Sequence, residues 1–148
     1  MEAPAARALR LGPDVDQALR AHAERAWPEE CCGALLGDRA SVFVALPLEN
    51  TAGDRRRGFL VSARDSLRVE AEAEARGLRW VGVYHSHPDA PAVPSAADGS
   101  TAWPDGWTVI IPVRAGVAGD PRAYWFDADL GRFTAAPAAT LQAVHFER

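Results

Sequence analysis

Three residues of this chain have the types and the spacing to share one metal ion. His85 and His87 stand in the run His85-Ser86-His87-Pro88, and Asp98 closes Ser95-Ala96-Ala97-Asp98, eleven residues after His87. Two neutral imidazole nitrogens and a carboxylate oxygen are borderline ligands that suit zinc. Three protein ligands leave one tetrahedral position open for water, which separates a catalytic zinc site from a closed structural one. The competing reading is local: Ser95 to Asp98 as a capping box, with both histidines on a surface loop. The four residues together, behind a strand and around a turn, favour the metal.

Something must hold these groups together. The run Arg79-Trp80-Val81-Gly82-Val83-Tyr84 is aromatic and β-branched, follows Gly77, and reads as a buried strand. Side chains alternate along a strand, so His85 and His87 at its end point the same way. Pro88, Pro91 and Pro94 stiffen the connection and oppose continued regular structure. Ser95 caps a short helix that carries Asp98 back toward the histidines.

Elsewhere, Val15, Ala18, Leu19, Ala23 and Ala26 recur at helical spacing, opened by Pro13-Asp14 and stopped before Pro28. His22 lies near the apolar face of this helix, where a hydrogen-bonded or half-exposed histidine is expected. Cys31 to Gly37 and Ser41 to Leu48 read as two strands of an antiparallel hairpin, joined by Asp38-Arg39-Ala40. Residues 50–58 are polar and hold Arg55-Arg56-Arg57, a run read either as a solvated loop or as a partner-binding surface. Phe59-Leu60-Val61 is expected to be a short strand, and Ser66 to Arg76 a helix with Glu72 and Arg76 paired at i,i+4. Strands at Trp107 to Val113 and Arg122 to Phe126 follow, with a turn at Asp127 to Gly131 before Phe133. The tail from Ala138 to Arg148, with His145, reads as a helix or a strand. This order predicts a layered α/β fold, a mixed sheet covered on both faces. With 148 residues and no repeat or linker, one domain over 1–148 is expected, its core spanning about 11–133.

Composition sets limits. The formal charge is −4, and every one of the 16 basic residues is arginine. An acidic chain argues against nucleic acid as the main partner. No apolar run approaches the 18 or more residues of a membrane span, and the first eleven residues lack the pattern of a secretion signal. Cys31 and Cys32 are neighbours, and adjacent Cα atoms about 3.8 Å apart do not suit an ordinary disulfide. They are expected as reduced thiols in a cytoplasmic protein, small buried hydrophobes rather than a second metal site.

With Pro28-Glu29-Glu30-Cys31-Cys32-Gly33-Ala34-Leu35-Leu36-Gly37 set beside the histidine segment, the chain resembles the JAMM (MPN-plus, JAB-type) zinc metalloproteases, in particular their short prokaryotic members. That pattern is a glutamate before Cys-Gly, then His-x-His-Pro, seven residues, Ser, and Asp three positions on. Here seven residues, 88–94, separate His87 from Ser95. Trp103-Pro104-Asp105 and the strand from Val109 to Val113 also look like the family.

The resemblance implies an α-β-α fold with a mixed, curved sheet, related to the cytidine-deaminase layout. It implies one zinc per chain on His85, His87 and Asp98, Ser95 steadying the oxyanion, and Glu30 as general base and acid. Glu29 is the rival for that last role, but Glu30 occupies the family's position two before Cys32. The implied activity is cleavage after the C-terminal Gly-Gly of a ubiquitin-like β-grasp protein. Short prokaryotic members point to a sulfur carrier, with release of an amino acid such as cysteine, or of a peptide. Only eight residues lie between Asp98 and Trp107, which leaves no room for the insertion that gives linkage selectivity in larger deubiquitinases. The alternatives are a DNA-repair-associated JAB-domain protein and an inactive MPN scaffold. The Glu30 to Gly37 run and the acidic charge weigh against the first, and the intact ligand set against the second. A deaminase would need His-x-Glu with Pro-Cys-x-x-Cys, and a zincin His-Glu-x-x-His; neither is present.

Overall fold

Apolar residues in the strand from Cys32 onward alternate between two cores. In the computed structural model, which describes residues 8–140, Cys31 and Leu35 enter one cluster, while Cys32, Ala34 and Leu36 enter another. The sheet between these clusters is therefore buried on both faces, as the unbroken apolar composition of its central strands requires.

The elements run β1 (Leu9–Leu11), α1 (Val15–Ala26), β2 (Cys32–Asp38), β3 (Ser41–Leu48), α2 (Ala63–Arg76), β4 (Arg79–Pro88), β5 (Gly106–Arg114), β6 (Val117–Ala118), β7 (Arg122–Asp127), β8 (Arg132–Ala136) and β9 (Ala138–Thr140). A single 3₁₀ turn, Ala97–Ser100, lies between β4 and β5. One mixed sheet has the order β8-β7-β5-β4-β2-β3-β1-β9, with β6 on β5. Its two ends, β8 and β9, are separated in the chain by Pro137 alone, so the sheet must curl back on itself. Helix α1 packs Val15, Leu19 and Ala23 on one face, and α2 packs Val69 and Ala73 on the other.

Helix α1 has the bounds its periodicity predicts. Helix α2 starts three residues earlier than expected, because Ser62 Oγ accepts from the Asp65 N–H and caps it. It ends at Gly77, whose φ of 66° suits the left-handed closing residue, and Arg76 pairs with Glu72 at 3.0 Å. The hairpin of β2 and β3 is antiparallel as expected, with a bulge between Leu36 and Gly37 that leaves Phe43 unpaired and 51% exposed.

Two expectations are corrected. Phe59 to Val61 forms no strand: Leu60 bonds to Thr51 and to the Asn50 side chain, and Phe59 buries its ring instead. The histidine strand does not stop at Tyr84. It runs through Pro88 because β5 pairs alongside in parallel register from Gly82↔Trp107 to Pro88↔Val113. The short strands β1 and β6 are additional. In the tail, Ala138–Thr140 is strand; His145 lies outside the described residues.

Contact between β4 and β5 depends on Gly82. A Cβ there would strike the Trp107 carbonyl and Cβ, and the obstacle is backbone rather than a flexible side-chain tip. Gly82→Ala is expected to cost about 1–3 kcal/mol by overpacking, read as a lower urea midpoint. An unchanged midpoint would show that the two strands separate freely.

Candidate metal centre

Register brings the first groups together. Cys32 pairs with His85 in the antiparallel ladder between β2 and β4, so extending that register two residues before β2 brings Glu30 opposite His87. Glu30, His85 and His87 thus share one face of the sheet, and Glu29 takes the other parity. Glu30 is 7% exposed, while Glu29 is half-exposed and paired with Arg55 at 3.1 Å.

The ladder loosens just before β2. Cys31 N–H donates to the Ser86 hydroxyl at 2.8 Å, Ser86 N–H to the Cys31 carbonyl at 3.2 Å, and Glu30 N–H turns away to the Arg55 carbonyl at 2.7 Å. Asn50 Nδ2 donates to the Glu30 carbonyl at 3.0 Å and to Gly58, while Asn50 Oδ1 accepts from Ala52 and Leu60. Both backbone groups of Glu30 are therefore held by residues 50–58. The same segment delivers Phe59, whose ring stacks on His85 at 4.7 Å between centroids.

Asp98 reaches the histidines through a pinned loop. Asp89, at φ 51°, accepts from Trp27 Nε1 at 3.0 Å and from Ala115 N–H at 2.7 Å. Tyr124 donates its hydroxyl to the Ala92 carbonyl. Ser95 N–H donates to Asp98 Oδ2 at 2.8 Å, and Asp98 N–H to Ser95 Oγ at 3.3 Å. The capping-box reading and the ligand reading therefore coexist: the reciprocal bonds orient the Asp98 carboxylate within the Ala97–Ser100 turn.

The three groups converge. His85 Nε2 and His87 Nε2 are 3.2 Å apart, and the Asp98 oxygens lie 3.2 Å from the first and 3.1 Å from the second. His87 Nδ1 lies 2.8 Å from the Pro91 carbonyl, which only accepts, so Nδ1 carries the proton and Nε2 the lone pair. Two imidazole nitrogens and a carboxylate, all buried and facing inward at this spacing, are a donor set that fits a cation. Burial lowers the His85 pKa and keeps its ring neutral, as a ligand must be. Burial would raise Asp98, but the adjoining His85 and His87 rings and the Ser95 N–H hold it well below the usual carboxylate range. Burial pushes Glu30 up to about 7, and its Oε1 has no hydrogen-bond partner among the described residues.

Beside these groups an open cleft of about 430 Å³ is lined by Glu30, His87, Pro91 and Ser95, with Arg56 and Arg57 at its wall. Ser95 is exposed there. The other flagged residues lie apart. His22 is in α1, its Nδ1 2.8 Å from the Tyr84 hydroxyl on the opposite face of β4. Cys31 and Cys32 are free, buried thiols whose pKa values burial raises to about 11 and about 12. Asn50, Phe59, Ser86 and Pro91 carry positioning roles that no motif announced. Of these, the sequence marked Pro91 only as stiffening the loop and Phe59 only as apolar strand.

Residues 13–127 match the model of a family described as prokaryotic homologs of the JAB domain. The chain is 34% identical over 110 residues to the desampylase of Haloferax volcanii, covering 70% of this chain and 78% of that one. It is 32% identical over 108 residues to the CysO-cysteine peptidase of Mycobacterium tuberculosis, covering 72% and 74%. Among solved structures, a protein of Desulfitobacterium hafniense superposes with a TM-score of 0.77 at 25% identity, covering 91% of this chain and 94% of that one.

Proposed function

The chain belongs to the prokaryotic JAB family, a JAMM-type hydrolase, and from that premise we propose a zinc peptidase that cleaves after the C-terminal Gly-Gly of a ubiquitin-like sulfur carrier. The observation that carries the reading is the convergence of His85, His87 and Asp98 at about 3 Å spacing beside buried Glu30. Donor atoms around a tetrahedral zinc, with bonds of about 2.0–2.1 Å, stand roughly 3.3–3.4 Å apart, close to the spacing seen here. Bound there, zinc would supply Lewis acidity toward water and the scissile carbonyl.

The chain's own residues do the rest. Glu30 takes a proton from the attacking water and passes it to the departing amine as the C–N bond breaks. Its buried, unpartnered oxygen suits both tasks. Ser95 offers its hydroxyl to the oxygen that gains charge in the tetrahedral state. Hydrolysis adds OH to the glycyl carbon and H to the amine, leaving a free Gly-Gly tail. The substrate class rests on the relatives named a desampylase and a CysO-cysteine peptidase. The free thiols of Cys31 and Cys32 suit a reducing, cytoplasmic setting, and no helix among the described residues is long and apolar enough to cross a membrane.

The experiment compares CysO bearing one C-terminal cysteine on a Gly-Gly tail with the same conjugate on an Ala-Ala tail. Cleavage of the first only is expected, lost with a chelator and restored by zinc. Equal cleavage of both would make a general short-peptide hydrolase the better reading.

A further inference from the structure

The arginines at the cleft are not explained by the hydrolytic residues. Arg55 is engaged with Glu29 at 3.1 Å, and Arg57 comes only within 3.9 Å of Asp54 at the exposed surface. Arg56 has no ion-pair partner among the described residues, yet both Arg56 and Arg57 line the cleft beside Glu30 and His87. Their segment is not a loose loop. Asn50 makes four hydrogen bonds within it and to Glu30, Thr51 N–H donates to the Leu60 carbonyl at 2.8 Å, and Arg56 N–H donates to Asp54 Oδ1 at 3.2 Å.

We propose that Arg56 and Arg57 bind the free α-carboxylate of a one-residue leaving group, making the site selective for release of a single C-terminal amino acid. The inference rests on the peptidase reading above and adds to it which side of the cut bond is read and by what charge. Glu30 delivers its proton to the departing amine, so the leaving group lies on the Glu30 side of the centre. The arginine segment is bonded to the Glu30 backbone through the Arg55 carbonyl, and Arg56 and Arg57 line the cleft together with Glu30. The carboxylate of a single residue lies only about one residue length, roughly 3.3–3.6 Å, beyond the bond that is cut. A leaving group inside a larger protein carries no charge at that point. Glu30 and Asp98 would otherwise repel an anion here, and paired guanidinium forks answer that repulsion with directed hydrogen bonds.

The test uses CysO ending in Gly-Gly-Cys, made once with a free C-terminal carboxylate and once as the carboxamide. With the zinc-loaded wild type, kcat/KM is expected to favour the acid by roughly tenfold to a hundredfold, the range of a charge-assisted contact. In Arg56→Ala/Arg57→Ala that ratio should fall toward one, and Arg56→Lys/Arg57→Lys should restore part of it. Equal rates for acid and amide in the wild type would overturn the carboxylate site and leave the peptidase reading standing. Equal losses on both substrates in the double alanine variant would also overturn it, placing the arginines against the body of the carrier. Hydrolysis of neither substrate would remove the peptidase reading and this inference together.

Discussion

Protein carrying His85→Ala and His87→Ala is expected to purify without stoichiometric zinc and to show no turnover above background, and the wild type is expected to hold about one ion per chain. On this reading the two Nε2 atoms would be two of the three donors, and Asp98 by itself would not hold a borderline cation against water. His85 is 1% exposed and stacks on Phe59, so its removal also leaves a cavity. Asp98→Asn, which preserves shape, is therefore the companion variant, and it should lose most of its zinc while its circular dichroism stays that of the wild type. Metal content by mass spectrometry decides the matter. A double histidine variant that keeps one zinc per chain would remove these residues from the site. Binding to the folded state alone also raises apparent stability, so zinc should raise the wild-type melting temperature and leave that of the double variant in place.

Glu30→Gln is expected to keep zinc and fold but to lose about 10²–10⁴-fold in kcat, the usual worth of a positioned general base and acid. The amide occupies the same buried volume and cannot accept a proton from water. Glu29→Gln, one residue away, should change turnover by less than about twofold, since its partner Arg55 is exposed and such surface pairs contribute little. Exchanged phenotypes would mean that β2 is one residue out of register, which would turn every side chain of the strand to the other face.

Much of this centre was legible in the chain itself, because its information is local. His85 and His87 are two apart, and period two places them on one face of any strand that holds them. Ser95 and Asp98 are three apart, and short polar side chains at that spacing bond each other's backbone wherever a turn begins. The bounds of α1 follow from its apolar stripe, and the hairpin follows from two apolar runs around a polar turn, which the structure narrows to Arg39 and Ala40. Glu30 was marked by a motif, and the ladder between β2 and β4 supplies the physical reason: opposite His87, it must face the histidines.

Other features depend on contacts that no window of sequence contains. Strand β4 extends through Pro88 only because β5, some twenty-five residues later, lies beside it in parallel register. Phe59 looked like strand because it is apolar and aromatic, yet its ring is buried on His85 and its neighbours bond to Asn50 and Thr51. The tautomer of His87 is set by the Pro91 carbonyl, and the path of that loop is held by Trp27, Ala115 and Tyr124, side chains and backbone from three separate elements. The triple arginine run read first as a solvated loop and only second as a binding surface, because charge alone does not say which way a segment folds. Residue types and short spacings determined which groups of this protein can do chemistry; the tertiary structure decided how they are aimed and which charges stand beside them, because orientation comes from hydrogen bonds and packing between residues far apart in the chain.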